Sequence, residues 1–350
     1  MHNNNKFTPI SEIGENKLIE RISKKFINKQ DSTILGVGDD SAIFKHSAVN
    51  QTVISTDMLV EGVHFDLMYT PLKHLGYKSI IVNISDVCAM NSSPKQVLVS
   101  LAIPNKYSVE MIEEIYEGVF SACVNYNIDL IGGDTTANAG GLVISVTILG
   151  DSPKKRLVKR SGANANDLIV VTGNLGGAYL GLQILEREKM IFTDNTNIQP
   201  ELGVHSYVLQ RQLKPEARID IINQLSGLDI VPSSMIDISD GLSIDLQHVC
   251  KKSNLGFKIF EDKIPIAPES KKTAQELSLD PTICALHGGE DYELLFTVPT
   301  ETHSKIESIK ECSIIGHMAS NIKIKELITV SGSSVNLEKE GWDSFVKSNI

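Results

Sequence analysis

The sequence predicts an α/β (α+β) protein built as two domains, and three features point there. At 350 residues the chain is longer than a single hydrophobic core usually grows. Short β-branched runs and longer runs of helical periodicity intermix along its length. The stretch Gly150–Arg160 holds Asp151-Ser152-Pro153 and then Lys154, Lys155, Arg156, Lys159 and Arg160, and it reads as a boundary between residues 1–150 and 151–350.

In the first domain, Ser11 to Phe26 reads as a helix with Leu18, Ile19, Ile22 and Phe26 on one face. Strand Thr33–Val37 runs into Gly38-Asp39-Asp40, and strand Thr52–Ile54 runs into Ser55-Thr56-Asp57. Pro71–Ala89 is a strongly apolar helix with Asp86 near its end. Val97–Ile103 is a strand closed by Pro104, and Ser108 is placed to cap a helix reaching about Tyr126. Asp129–Ile131 is a short strand ending in Gly132-Gly133-Asp134, and Leu142–Leu149 is another, rich in β-branched residues. The second domain opens with strand Leu168–Thr172, the turn Gly173-Asn174-Leu175-Gly176-Gly177 and a helix to about Arg187, then a polar loop over 189–202. Strand Met235–Ile238 leads into Ser239-Asp240-Gly241, Ser243 caps a helix through Cys250, and Leu294–Val298 is a further strand.

Composition narrows the function classes. Hydrophobic residues are 41% and charged residues 22%, ordinary for a globular protein. No apolar run approaches the ~20 residues that span a bilayer, and Met1–Lys6 lacks the apolar core of a secretory signal, so a cytoplasmic location is expected. No two of Cys88, Cys123, Cys250, Cys284 and Cys312 lie within 25 residues, which excludes a C-x-x-C site and suits buried, reduced thiols. A net charge of −10 disfavours broad nucleic-acid binding. It leaves room for anionic small molecules if cations bridge them to carboxylates.

The acids are not scattered. Gly38-Asp39-Asp40, Ser55-Thr56-Asp57, Gly132-Gly133-Asp134 and Asp237-Ile238-Ser239-Asp240 each follow an apolar strand, and Asp86 ends an apolar helix. Ligands of α/β proteins bind beyond the carboxyl ends of strands. Asp and Gly are also common turn residues, and any one of these sites could be only a turn. Together, without His or Cys, they describe an oxygen-only site of the kind that suits Mg²⁺ and phosphates. There is no G-x-x-x-x-G-K-[ST] loop and no H-R-D or D-F-G set, so a phosphotransferase would need another architecture.

At these residues the chain resembles the thiamine-monophosphate kinase family, within the aminoimidazole ribonucleotide synthetase-like superfamily. The ordered motifs are Gly38-Asp39-Asp40, Ser55-Thr56-Asp57, Glu61-Gly62-Val63-His64-Phe65, Asn83-Ile84-Ser85-Asp86, Ile131-Gly132-Gly133-Asp134, Lys159-Arg160-Ser161-Gly162, Asp237-Ile238-Ser239-Asp240-Gly241, Gly288-Gly289-Glu290-Asp291-Tyr292-Glu293 and Gly341-Trp342-Asp343-Ser344-Phe345. The resemblance implies transfer of the γ-phosphate of ATP, a co-substrate, to thiamine monophosphate, with several Mg²⁺ ions as cofactor. It implies that Asp40, Ser55, Thr56, Asp57, Asp86, Asp134, Asp237 and Asp240 bind Mg²⁺. Of these, Asp57, Asp86 and Asp134 would serve the metal-assisted transfer, with no side chain singled out as a catalytic acid or base. Tyr116, Gly133, Asp134, Arg160 and Ser239 would contact ATP, and His64, Glu290 and Trp342 would contact thiamine monophosphate. It also implies a homodimer whose N-terminal sheets pair into a shared barrel, and an active site in a cleft between the domains.

Residue chemistry agrees with several of these roles. Arg160 can fork onto phosphate oxygens, and Trp342 could stack on the cationic thiamine or anchor the C-terminal segment. By pattern alone His64 and Tyr116 read as packed core residues, and Gly173–Gly177 reads as a structural turn although it opens a helix. Ser344, where the family usually has His, and His287 depart from the family pattern and bear on substrate fit. Rival readings are an aminoimidazole ribonucleotide synthetase-like enzyme and a non-catalytic metal- or nucleotide-binding module.

Overall fold

The computed structural model describes residues 8–337 apart from 10–11, 14–17, 19–20, 23, 26, 36–42, 196–198 and 201. Asp39, Asp40, Trp342, Ser344 and much of the Ser11–Phe26 stretch therefore lie outside the described residues. Two compact units divide the chain: unit 1 is Met1–Val87 with Ser93–Lys154, and unit 2 is Cys88–Ser92 with Lys155–Ile350.

Unit 1 begins with β1 (Thr33–Leu35) paired to β2 (Ile43–Phe44). It continues through β3 (Asn50–Val60), α1 (Leu72–Ala89), β4 (Ser93–Pro104), α2 (Val109–Asn125), β5 (Asp129–Asn138) and β6 (Val143–Pro153). The sheet runs β3-β6-β4-β5, with only β4 and β5 parallel. Alternate residues of β4 (Val97, Val99, Leu101, Ile103) and β6 (Ile144, Val146, Ile148) are buried, as a one-face core requires. On edge strand β3 the other face exposes Ile54 and Met58, at 64% and 54%. Helix α1 is buried on nearly all sides, the mark of an interior helix. It crosses α2 at a glycine pair: a Cβ on Gly76 would sit 1.9 Å from the Ile115 carbonyl oxygen, and one on Gly118 1.9 Å from that of Lys73. Ser108 caps α2 as the sequence predicts, its Oγ accepting from the Met111 amide at 3.3 Å.

Unit 2 holds β7 (Leu168–Thr172), α3 (Gly177–Asp194), α4 (Ser206–Leu213), α5 (Ile219–Gly227), β8 (Ser234–Ile238), α6 (Leu242–Ser253) and β9 (Gly256–Phe260). It ends with α7 (Pro268–Glu276), α8 (Pro281–His287), β10 (Glu293–Val298), α9 (His303–Glu307), β11 (Cys312–Ala319), β12 (Lys325–Ile328) and β13 (Ser334–Asn336). Its seven-stranded sheet runs β13-β12-β9-β11-β7-β10-β8 and is antiparallel except between β9 and β12. Ile169, Val171, Ile236, Ile238, Leu246, Phe257 and Leu295 lie in its core. Among the described residues no helix is long and apolar enough to cross a membrane. All five cysteines are free thiols, and four are buried.

Several elements differ from the sequence reading. Strand β3 does not stop before Ser55-Thr56-Asp57 but runs through it, and β5 runs through Gly132-Gly133-Asp134. Pairing along the neighbouring strands overrides the local Gly/Asp turn signal. Helix α3 continues to Asp194, into the expected loop. Helix α6 is preceded by Gly241 at φ 116°, and Ser243 lies inside its first turn rather than capping it.

Candidate active site

In unit 1, α1 and β3 bring Ser55, Asp57 and Asp86 together. Ser55 and Asp57 sit two apart on β3 and share one face of the sheet. Asp86 is the partly exposed acid near the end of buried α1. The Ser55 hydroxyl donates to Asp86. Burial, and then the adjacent Asp86, push the Asp57 carboxyl up to about 6. Two carboxylates held this close repel one another unless a proton or a cation lies between them.

Thr56 points to the other face, where its Oγ1 donates to the Val146 carbonyl at 3.0 Å and lies 2.9 Å from Thr147 Oγ1. The register puts Asp57 in one row with Val146, Val99 and Gly133, whereas Asp134 pairs with Ser100, Ser145 and Met58 in the next. Asp134 therefore faces away from Asp57. Three strand spacings, roughly 14 Å, separate their strands. Among the described residues no three His, Cys, Asp or Glu side chains converge into a metal-holding group. The donor chemistry of Ser55, Asp57 and Asp86 nevertheless fits a hard divalent cation, which would replace the proton between the two acids.

Tyr116 stands on α2, its phenol held above its ordinary range by burial. His64 lies in a tight turn after β3, its Nδ1 accepting from the Val60 amide at 3.0 Å. The proton of the neutral ring is thus on Nε2, leaving that nitrogen as a donor. Glu61 ties the turn down: its carboxylate accepts from the Leu142 amide at 2.7 Å, Lys106 at 2.5 Å and Tyr107 at 3.2 Å. Partial burial opposes these contacts, yet they hold Glu61 below its ordinary value.

In unit 2, β8 delivers buried Asp237 and then the Ser239-Asp240-Gly241 turn. The turn is held by Asp245 of α6, one of whose oxygens accepts from the Ser239, Asp240 and Gly241 amides, each at 3.1 Å. Burial, then Asp237 and Asp240, push Asp245 up to about 8 against the Asp240 and Gly241 amides. The Glu290 amide donates to the Ser239 carbonyl at 2.7 Å, so the Asp240 turn and the Glu290 segment are stitched side by side. Gly289 permits this approach, since a Cβ there would lie 2.6 Å from the Ser239 oxygen. Arg160 follows Lys159, whose carbonyl accepts from the Met235 amide on β8 at 3.0 Å. His248 of α6 feels both Arg160 and Asp240; partial burial, and then Arg160, hold its ring below its ordinary range. His287 ends α8, just before Gly288.

The Gly173–Gly177 turn binds an anion that belongs to the protein. Asp291 accepts from the Gly176 amide at 2.7 Å and the Ala178 amide at 3.4 Å, occupying the start of α3. Asp245 and Gln212, which meets Glu290, escaped the sequence reading. An acid in the first turn of α6 was a usable signal for the former; Gln212 is 78 residues from its partner and carried none.

The family model for AIR synthase related protein, N-terminal domain, matches residues 38–151. The thiamine-monophosphate kinase of Bacillus subtilis is 34% identical over 335 residues, covering 94% of this chain and 98% of that protein. The crystal structure of thiamine-monophosphate kinase from Stenotrophomonas maltophilia K279a is similar at a TM-score of 0.76 and 31% identity, covering 91% of this chain and 96% of that one. A structure of AaThiL complexed with AMPPCP and TMP is similar at a TM-score of 0.73 and 32% identity, covering 95% of this chain and 97% of that one.

Proposed function

We infer that this chain, which belongs to the thiamine-monophosphate kinase family, transfers the γ-phosphate of ATP to thiamine monophosphate, giving thiamine diphosphate and ADP. The observation that carries the reading is the Ser55–Asp57–Asp86 cluster within a chain similar to these kinases over 94% of its length. A terminal phosphate oxygen of thiamine monophosphate forms the new bond to the γ-phosphorus, and the bond from that phosphorus to ADP breaks. A phosphate monoester is largely ionised near neutral pH, so the nucleophile needs no dedicated base. What remains for the protein is positioning and charge compensation.

Magnesium, when bound, would supply that charge compensation on the transferring phosphoryl oxygens. Ser55, Asp57 and Asp86 would hold one ion in unit 1; Thr56 and Asp134, on the opposite face of the sheet, and Asp40 would serve other ions, and Asp237 and Asp240 would do so in unit 2. Arg160 would fork onto ATP phosphates, beside Ser239, with Gly133 and Tyr116 as further ATP contacts. His64, with Nε2 as donor, suits the substrate phosphate. Trp342 would stack on the cationic end.

A homodimer is part of the same reading. The sheet face that carries Asp134 also exposes Ile54 and Met58 beside the β3 edge, and a second copy laid against it would cover both. So is a cytoplasmic location.

The test is an ADP-release assay with ATP, Mg²⁺ and thiamine monophosphate, with chromatography for thiamine diphosphate. Product requiring both Mg²⁺ and thiamine monophosphate is expected. Folded protein that binds ATP but forms no thiamine diphosphate would overturn the substrate assignment.

A further inference from the structure

The segment that carries Glu290 is held in an unusual backbone form. Glu290 and Tyr292 both adopt positive φ, 57° and 52°, a conformation that costs a non-glycine residue and persists only where its surroundings enforce it. The enforcement is visible. The Glu290 amide donates to the Ser239 carbonyl and the Tyr292 amide to the Ile238 carbonyl, at 2.7 and 2.9 Å. Arg211 donates to the Asp291 carbonyl at 2.9 Å. The Asp291 carboxylate is spent on the start of α3.

Its carboxylate is gripped from two directions. Gln212, buried on α4, donates from Nε2 to Oε2 at 3.0 Å, and the Tyr292 hydroxyl donates to Oε1 at 3.3 Å. We propose that Gln212, assisted by Tyr292, is the positioning residue that fixes Glu290 as a hydrogen-bond acceptor for the amino-bearing end of the substrate. The proposal rests on the reading that Glu290 contacts thiamine monophosphate. Gln212 and Tyr292 both donate to this group, and a carboxylate offers a ligand acceptor capacity and no donor. An acceptor-only anion repels a phosphate and suits an exocyclic N–H. Of the two ends of thiamine monophosphate, the aminopyrimidine offers that group.

The experiment compares Gln212→Leu, Tyr292→Phe, Glu290→Gln and the Gln212→Leu/Glu290→Gln pair, each assayed for KM and kcat. Equilibrium titration of thiamine monophosphate, and of an analogue with oxygen in place of the amino group, completes the set. Gln212→Leu should raise KM for thiamine monophosphate about tenfold or more. KM for ATP and kcat should stay within about twofold, and preference for the amino form over the oxygen analogue should shrink. Tyr292→Phe should act in the same direction more weakly, and it serves in place of Gln212→Leu should that variant fold poorly. The double variant should be little worse than Glu290→Gln alone. If Glu290→Gln leaves substrate binding unchanged, the reading of Glu290 itself is wrong. If Glu290→Gln weakens binding while Gln212→Leu and Tyr292→Phe do not, the positioning role is overturned. It is equally overturned if they shift the KM for ATP and for thiamine monophosphate alike, as a purely structural defect would.

Discussion

In unit 1, Asp57 and Asp86 lie against one another, and burial and then this acidic neighbour both push the Asp57 carboxyl up. In unit 2, Asp291 and Glu293 are buried more deeply still, at 0% and 1% exposure, yet they are surrounded by donors. Arg211 lies 3.8 Å from Asp291 and 3.1 Å from Glu293, Arg218 lies 3.2 Å from Glu293, and Thr172 donates to Glu293 at 2.6 Å. Burial still pushes Asp291 up to about 6, with Arg211 and two amides opposing it. The pair of pairs separates two uses of acid. Carboxylates whose charge is met inside the fold hold it together, and carboxylates set against each other leave a demand that an outside cation can meet. The Gly-Gly-Glu-Asp-Tyr-Glu motif divides in a related way: Asp291 and Glu293 are met by buried arginines, whereas Glu290 is met by the neutral donors Gln212 and Tyr292 and is the one proposed above to face substrate.

The strongest way to break this comparison is to remove charge from the unit 1 acids. Asp57→Asn should lower turnover by about a thousandfold or more, and Asp134→Asn should also abolish it, while melting temperature and circular dichroism stay near wild type. Removing one of two repelling acids should if anything raise stability. A well-folded Asp57→Asn protein with near-normal turnover would end the distinction. In unit 2 the same operation should do the reverse. Asp291→Ala leaves Arg211 buried with one acid fewer and strips the start of α3, so unfolding in urea should show a loss of about 3 kcal/mol. Stability equal to wild type would place Asp291 outside the structural set.

How far the sequence could carry this comparison depends on the distance over which each contact acts. The motifs along β3, α1, β8 and the Glu290 segment were legible because each is contiguous. Ser108 was legible because a cap is a local device. What pairing does to those motifs was not. Gly132-Gly133-Asp134 reads as a strand end, yet its pairing with β4 carries β5 on to Asn138. That same register turns Asp134 to the face opposite Asp57. Nor does anything near Arg211 or Arg218 in the chain announce that both reach Glu293, 75 residues beyond Arg218. The Gly76–Gly118 crossing is equally silent, since isolated glycines in helical patterns usually signal only lower propensity.

A milder test sharpens the comparison from the side of the metal. Replacing Mg²⁺ with Ca²⁺ should leave folding intact and reduce turnover by about tenfold or more, because Ca²⁺ takes longer bonds and looser coordination. Equal rates with the two ions, measured by ADP release, would argue that the acid pair needs only positive charge and not a fixed geometry.

The smallest effect belongs to Asp245, which lies between the two classes. It neighbours Asp237 and Asp240 as a ligand acid would, yet it accepts from three backbone amides of the turn that carries Ser239 and Asp240. Those amides ask for an acceptor oxygen, not for a charge. Asp245→Asn keeps one such oxygen on a side chain of the same shape, so stability should change by about 1 kcal/mol or less and turnover should survive. Asp245→Ala removes the acceptor, frees the turn and should lower both, with the larger loss in the apparent affinity for the magnesium complex of ATP. The contrast between the two substitutions is the diagnostic quantity. If Asp245→Asn were as damaging to turnover as Asp57→Asn while the protein stayed folded, Asp245 would belong with the acids that answer an outside cation. The line between the two kinds of carboxylate would then run through α6 rather than around it.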